Sequence, residues 1–169
     1  ASGIDIDQTA PTAVASVSPD ANANGWHNSV VTVSFDGTDT LSGIDFCDAA
    51  ALLSGDGVSQ SASGTCTDLA GNISALATAD NIDIDQTAPV ASASISPEAN
   101  ANGWHDGAVI VSFSGTDDLS DIDSCSDAVR LTGDGTGQSA SGTCTGHRKS
   151  VVSGTGVDLG GLHHTKQKA

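Results

Sequence analysis

Hydrophobic positions alternate with polar ones at a period of two, and no stretch sustains a helical period. Val31, Val33 and Phe35 are interleaved with Thr32 and Ser34, and Val109, Val111 and Phe113 repeat the arrangement, so each segment predicts a strand with one apolar face. Ala13 to Ser18 and Ala91 to Ser96 predict small-residue strands that follow a Pro and end in Ser-Pro. Between these segments the chain is punctuated by Ala-Asn-Gly, Leu-Ser-Gly, Ser-Gly-Asp-Gly and Leu-Ala-Gly-Asn. Turn signals at this short, regular spacing are the rhythm of an all-β sandwich.

The pattern occurs twice. Ile4-Asp-Ile-Asp-Gln-Thr-Ala-Pro11 recurs unchanged as Ile82 to Pro89, and an offset of 78 residues aligns 4–67 on 82–145 without a gap, with 45 identities in the 64 pairs. The expected domains are 1–81 and 82–145, each an antiparallel β-sandwich. Residues 146–169 form a basic, Gly- and His-rich tail that repeats nothing before it. Where the first copy runs from Ala75 to Ile84 as its last strand, the second reads Thr145-Gly-His-Arg-Lys-Ser. It therefore lacks the expected closing strand unless Ser150–Ser153 or Thr155–Leu159 replaces it. An uncovered edge of that kind invites pairing with another chain.

Composition narrows the class. Only 3% of the 169 residues are aromatic, which is thin material for one large core and suits two small ones. Four cysteines fall at equal spacing, Cys47 with Cys66 and Cys125 with Cys144, and predict one disulfide in each unit. Zinc is the competing reading, but the Cys pairs lack a short Cys-x-x-Cys spacing and His27 and His105 lie far off in sequence. Disulfides imply an oxidising compartment, hence an extracellular or cell-surface location. No run of eighteen apolar residues exists, so membrane insertion by a helix is not expected, and any export signal is removed or lies upstream.

Net charge is −16, and residues 1–145 carry twenty acidic side chains against the single Arg130. Nucleic acid is a poor partner for such a surface, since phosphate binding needs clustered Lys and Arg. All but Glu98 of the acids are Asp, a turn former and a calcium ligand. Ile-Asp-Ile-Asp sets Asp5 and Asp7, and again Asp83 and Asp85, on one side of an extended segment. With Asp39 and Asp117 from the Thr-Asp-x-Leu-Ser stretches, these are the candidate calcium ligands. The plainer reading points Asp outward and Ile inward on an edge strand and leaves the remaining acids as turn formers, a solvated coat that requires no cofactor. Trp26 and Trp104 are candidate sugar-stacking platforms; the plainer reading makes each a core anchor with its following His at the surface.

Asp-x-Thr-Ala-Pro at the head of each unit, Asn-Gly-Trp before the first long strand, Thr-Asp-x-Leu-Ser-x-Ile at 38–44 and 116–122, and Thr-Asp-Leu-Ala-Gly-Asn at 67–72 together resemble bacterial immunoglobulin-like surface repeats. The resemblance covers residues 4 to about 145. It implies tandem Ig-like sandwiches in a large secreted or wall-attached protein, with neighbouring repeats or further copies of the chain as partners. The motifs are absent that an enzyme would need: no Gly-x-Ser-x-Gly elbow, no His-Glu-x-x-His helix and no phosphate-cradling glycine loop. The expected function is a non-catalytic spacer or adhesive stalk. Calcium-dependent binding of a glycan or surface protein, and self-assembly into a surface filament, are the alternatives.

Overall fold

The computed structural model describes residues 2–146 and the backbone of 157–158. Among them there is no helix; the chain is all-β, built from several small, mostly antiparallel sheets, and no helix is long and apolar enough to cross a membrane. It divides into two units, Ala1–Thr87 and Ala88–Ala169. The sequence repeat cut at Ile82 falls inside β-strand Ala77–Ile84, and the compact units part six residues later, beyond the end of that strand.

Unit 1 contains β1 (Thr12–Ser18), β2 (Trp26–His27), β3 (Val31–Thr38), β4 (Ile44–Cys47), β5 (Ala51–Leu53), β6 (Gly57–Gly64), β7 (Cys66–Asp68) and β8 (Ala77–Ile84). They form sheets in the order β1-β3-β5, β2-β8-β6 and β4-β7. The β2–β8 contact is parallel and brings Trp26 opposite Asp83 and His27 opposite Ile84. Alternation decides the core: Val31, Val33 and Phe35 of β3 meet Ala77, Ile82 and Ile84 of β8, with Ala13, Ala15 and Val17 of β1 packed on the cluster. Half of the buried cluster thus comes from β8. Ile84 is 0% exposed, and burying a side chain of that size stabilises the fold by about 1.5–3 kcal/mol.

Unit 2 contains β9 (Val90–Ser96), β10 (Val109–Thr116), β11 (Ile122–Cys125), β12 (Val129–Leu131), β13 (Ser139–Ala140), β14 (Cys144–Gly146) and β15 (Val157–Asp158). Its sheets are β12-β10-β9, β11-β14 and β13-β15. In unit 1 Ala62 pairs with Ala79; in unit 2 Ala140 pairs with Val157, the same pairing displaced by the repeat offset. The expectation that unit 2 has no closing strand is thereby corrected within Thr155–Leu159, where a two-residue ladder forms. The alternative at Ser150–Ser153 and the remainder of the tail lie outside the described residues.

Each unit is pinned by one disulfide, Cys47–Cys66 and Cys125–Cys144. The partners stand directly opposite in the β4–β7 and β11–β14 ladders, so the bridge ties two strands already in register. Gly64 and Gly142 exist for a close approach: a Cβ there would lie 2.7 Å from the Phe35 ring and 2.5 Å from the Phe113 ring, respectively.

Candidate functional site

Among the described residues, three carboxylates converge in unit 1. Asp7 precedes β1, Asp39 follows β3 and Asp68 ends β7, and one oxygen from each lies within 4.8 Å of the others. Local backbone chemistry sets each of them. Asp39 Oδ1 accepts the N–H groups of Leu41, Ser42 and Gly43 at 2.9, 2.9 and 3.0 Å, closing the turn before β4. Asp7 accepts Thr9 N–H on Oδ1 at 2.9 Å and reaches across to Ser42 N–H with Oδ2 at 3.2 Å. Asp68 is 1% exposed; Oδ1 accepts Asn72 N–H at 2.7 Å and Oδ2 accepts Asn72 Nδ2 at 2.8 Å. Asn72 Nδ2 also donates to the Asp7 carbonyl at 3.2 Å, so three segments remote in sequence are laced together.

These donors favour the ionised form of Asp7 and Asp68. The Ser42 side chain and then the Thr9 N–H hold the Asp7 carboxyl below the usual carboxylate value. At Asp68 burial, the strongest single influence, pushes upward, but the Asn72 side chain and the N–H groups of Asn72 and Ala70 outweigh it, against the repulsion of Asp7. Residues 1–87 contain no Lys or Arg, so the charge is balanced by backbone dipoles, by His or by a cation from solution. Three carboxylates at this separation offer the hard oxygen ligands a divalent cation takes.

Of the six predicted calcium ligands, Asp7 and Asp39 come together; the third member, Asp68, was not among them. Asp5 is exposed, and Asp83 Oδ1 accepts Ser59 N–H at 2.7 Å on the β6 side of β8. Asp117 repeats the turn made by Asp39, accepting Leu119 and Ser120 N–H at 3.1 and 2.9 Å. Asp68, however, is replaced by Gly146 in the second copy, where a Cβ would sit 3.6 Å from Asp117 Oδ2. Asp85 is buried with Oδ1 on Thr87 N–H and Oδ2 unpartnered. The signal for Asp68 was its place in Thr-Asp-Leu-Ala-Gly-Asn, which only the fold carries back to Asp7.

Three plainer expectations change. Ile82 and Ile84 do face inward, at 3% and 0% exposed, but Ile4 and Ile6 of the identical string are 73% and 68% exposed, since no sheet of the unit receives them. Trp104 is 56% exposed and is no core anchor, whereas Trp26 is half-buried where β2 pairs with β8. His27 is buried in that ladder rather than at the surface. The two tryptophans leave the same loop: Asn22 Oδ1 accepts Asn24 and Trp26 N–H, and Asn100 Oδ1 accepts Asn102 and Trp104 N–H.

The chain matches no protein-family model, no curated protein and no solved structure.

Proposed function

We propose that the chain is a pair of Ig-like β-sandwich repeats serving as a non-catalytic spacer or stalk in an extracellular or cell-surface protein. What carries this reading is the duplication of one disulfide-pinned all-β unit, several of whose aspartates accept backbone N–H groups in turns. Two bridges in a chain this size favour an oxidising compartment. Cysteines resistant to alkylation in protein taken directly from its cells support that setting, and free thiols would refute it. Titrating a broad glycan panel while following Trp fluorescence tests the spacer role: no shift is expected, and a saturable shift would make the chain a binding module instead.

The carboxylate cluster favours a second reading, a calcium-stiffened unit 1. Millimolar calcium would then raise the melting temperature of unit 1 and leave unit 2, with Gly146 in place of an acid, unchanged. Asp68→Asn should abolish the rise. An equal response to magnesium, or none to either ion, would leave the cluster as turn chemistry alone.

A further inference from the structure

Every open sheet has edges, and unit 1 blunts most of its own in two ways. β2, β5 and β7 are only two or three residues long. β4 and β6 are bulged, with register shifts between Ile44 and Phe46, between Gly57 and Gln60, and between Gln60 and Ala62. Short strands and bulges keep unpaired N–H and C=O groups from capturing another chain. β1 has neither device. All seven of its residues, Thr12 to Ser18, pair with β3 in one unbroken register, and it ends the order β1-β3-β5 with no strand of the described residues on its other side. It carries no charge, and Pro11 and Pro19 flank the ladder rather than interrupt it.

β9 is the same edge in the second copy. Val90 to Ser96 pair with β10 without a shift and end the order β12-β10-β9, whereas β11 is bulged and β12 to β15 have two or three residues each. Burial shows both edges to be open. Ala13, Ala15 and Val17 pack on the core yet are only half-buried, beside Val31 and Val33 of β3 at 0% exposed. Ala91, Ala93 and Ile95 repeat this beside the buried Val109 and Val111. Each copy answers for the other. Residues 2–87 of unit 1 are all described and leave β1 uncovered, while β9 follows a complete unit in the chain, so its open edge does not come from where the sequence starts.

We propose that these edges join copies of the chain, β1 of one pairing antiparallel with β1 of a second and β9 with β9, each junction fusing two three-stranded sheets into one. Charge specifies the occupant. With a net charge of −16 the copies repel over most of their surface, and β1 and β9 are long, regular edges at which two of them can meet with no side-chain charge opposed. Pattern fits it as well. Centring the pairing on Ala15 sets Ala13 opposite Val17 and Val14 opposite Ser16, so core-facing residues meet core-facing ones, and Ala93 is the corresponding centre of β9. The contact is isologous, main-chain groups supply its affinity, and two such edges per copy let assembly continue past the dimer.

Sedimentation velocity from about 1 μM to about 0.5 mM, at about 0.02 and about 0.3 M salt, tests it. Concentration-dependent oligomers are expected, and salt should strengthen them, because it screens the repulsion of the acidic surfaces and leaves main-chain pairing intact. Amide hydrogen exchange on the same samples should show protection gained in β1 and β9 on association. Ser16→Asp with Ser94→Asp changes exposed side chains that lie opposite Ser34 and Ser112; melting should be unchanged and association weakened at least about tenfold. Ser61→Asp with Ser139→Asp adds the same charge to β6 and β13 and should leave association as it was. A chain that is monomeric at every concentration and salt, oligomers indifferent to Ser16→Asp with Ser94→Asp, or protection gained only in other strands would overturn the proposal.

Discussion

Gly64→Ala tests the packing of unit 1 most directly, because two opposing effects meet at one atom. Alanine is intrinsically better than glycine within a strand by about 0.5–1 kcal/mol, so backbone considerations alone predict stabilisation. The new Cβ, however, would lie 2.7, 2.7 and 2.9 Å from three atoms of the Phe35 ring, where carbon atoms prefer about 3.5–4.0 Å. Phe35 is buried among Val31, Val33 and the β8 side chains and has no room to retreat. Overpacking of this kind costs about 1–3 kcal/mol, leaving a net loss of about 0.5–2 kcal/mol. For a unit of this size that is a fall in melting temperature of about 3–15 °C. Trp26 emission during heating, in a Trp104→Phe background, reports unit 1 alone. Gly55→Ala, with nothing within 4 Å of its Cβ, is the control and should leave the transition unmoved or slightly higher. Gly142→Ala should cost less than Gly64→Ala despite the shorter approach, because Phe113 is half-exposed and can swing outward. Unchanged melting of Gly64→Ala would refute the description of Phe35 as locked.

Other outcomes follow from the disulfides, the acids and β8. Replacing Cys47 and Cys66 together by Ala should destabilise unit 1 by roughly 3 kcal/mol in the chain-entropy model, seen in urea as a lower midpoint, and leave unit 2 unaffected. Asp7 and Asp68 titrate below their unfolded values, so the unfolded chain binds more protons as pH falls. Their stabilisation is complete above the ordinary carboxylate range and is lost as pH drops through the folded values; unit 1 melting should therefore decline below about pH 4, less so in Asp68→Asn. Ile84→Ala should cost about 2–5 kcal/mol, while the same change at Ile6 should be near neutral in dilute protein, measured by thermal melting.

The repeat, the alternation of β3 and β10 and the cysteine partners were legible because each is a local or periodic signal. The environment of Ile-Asp-Ile-Asp was not. One string is a buried strand end at Ile82–Ile84, flanked by β6 and β2, and a solvent-exposed segment outside any strand of unit 1 at Ile4–Ile6. Trp26 and Trp104 diverge as well: Trp26 pairs with β8, and Trp104 lies outside the strands of the described residues. Two of the three members of the carboxylate cluster could be read from the sequence, by strand parity at Asp7 and turn chemistry at Asp39. Asp68 required knowing that β7 returns beside β4, a tertiary fact with no period along the chain.

The position of the disulfides has a mechanical consequence. Each bridge spans 19 residues, and those residues include β5 and β6 in unit 1. Under tension along the chain, force passes from Cys47 to Cys66 through the sulfurs and bypasses everything between. Because an extended residue spans at most about 3.3–3.6 Å, each bridge withholds roughly 60 Å of contour from a unit that has yielded, so an array of such units stretches in shortened, self-limiting steps until a reductant releases the hidden length.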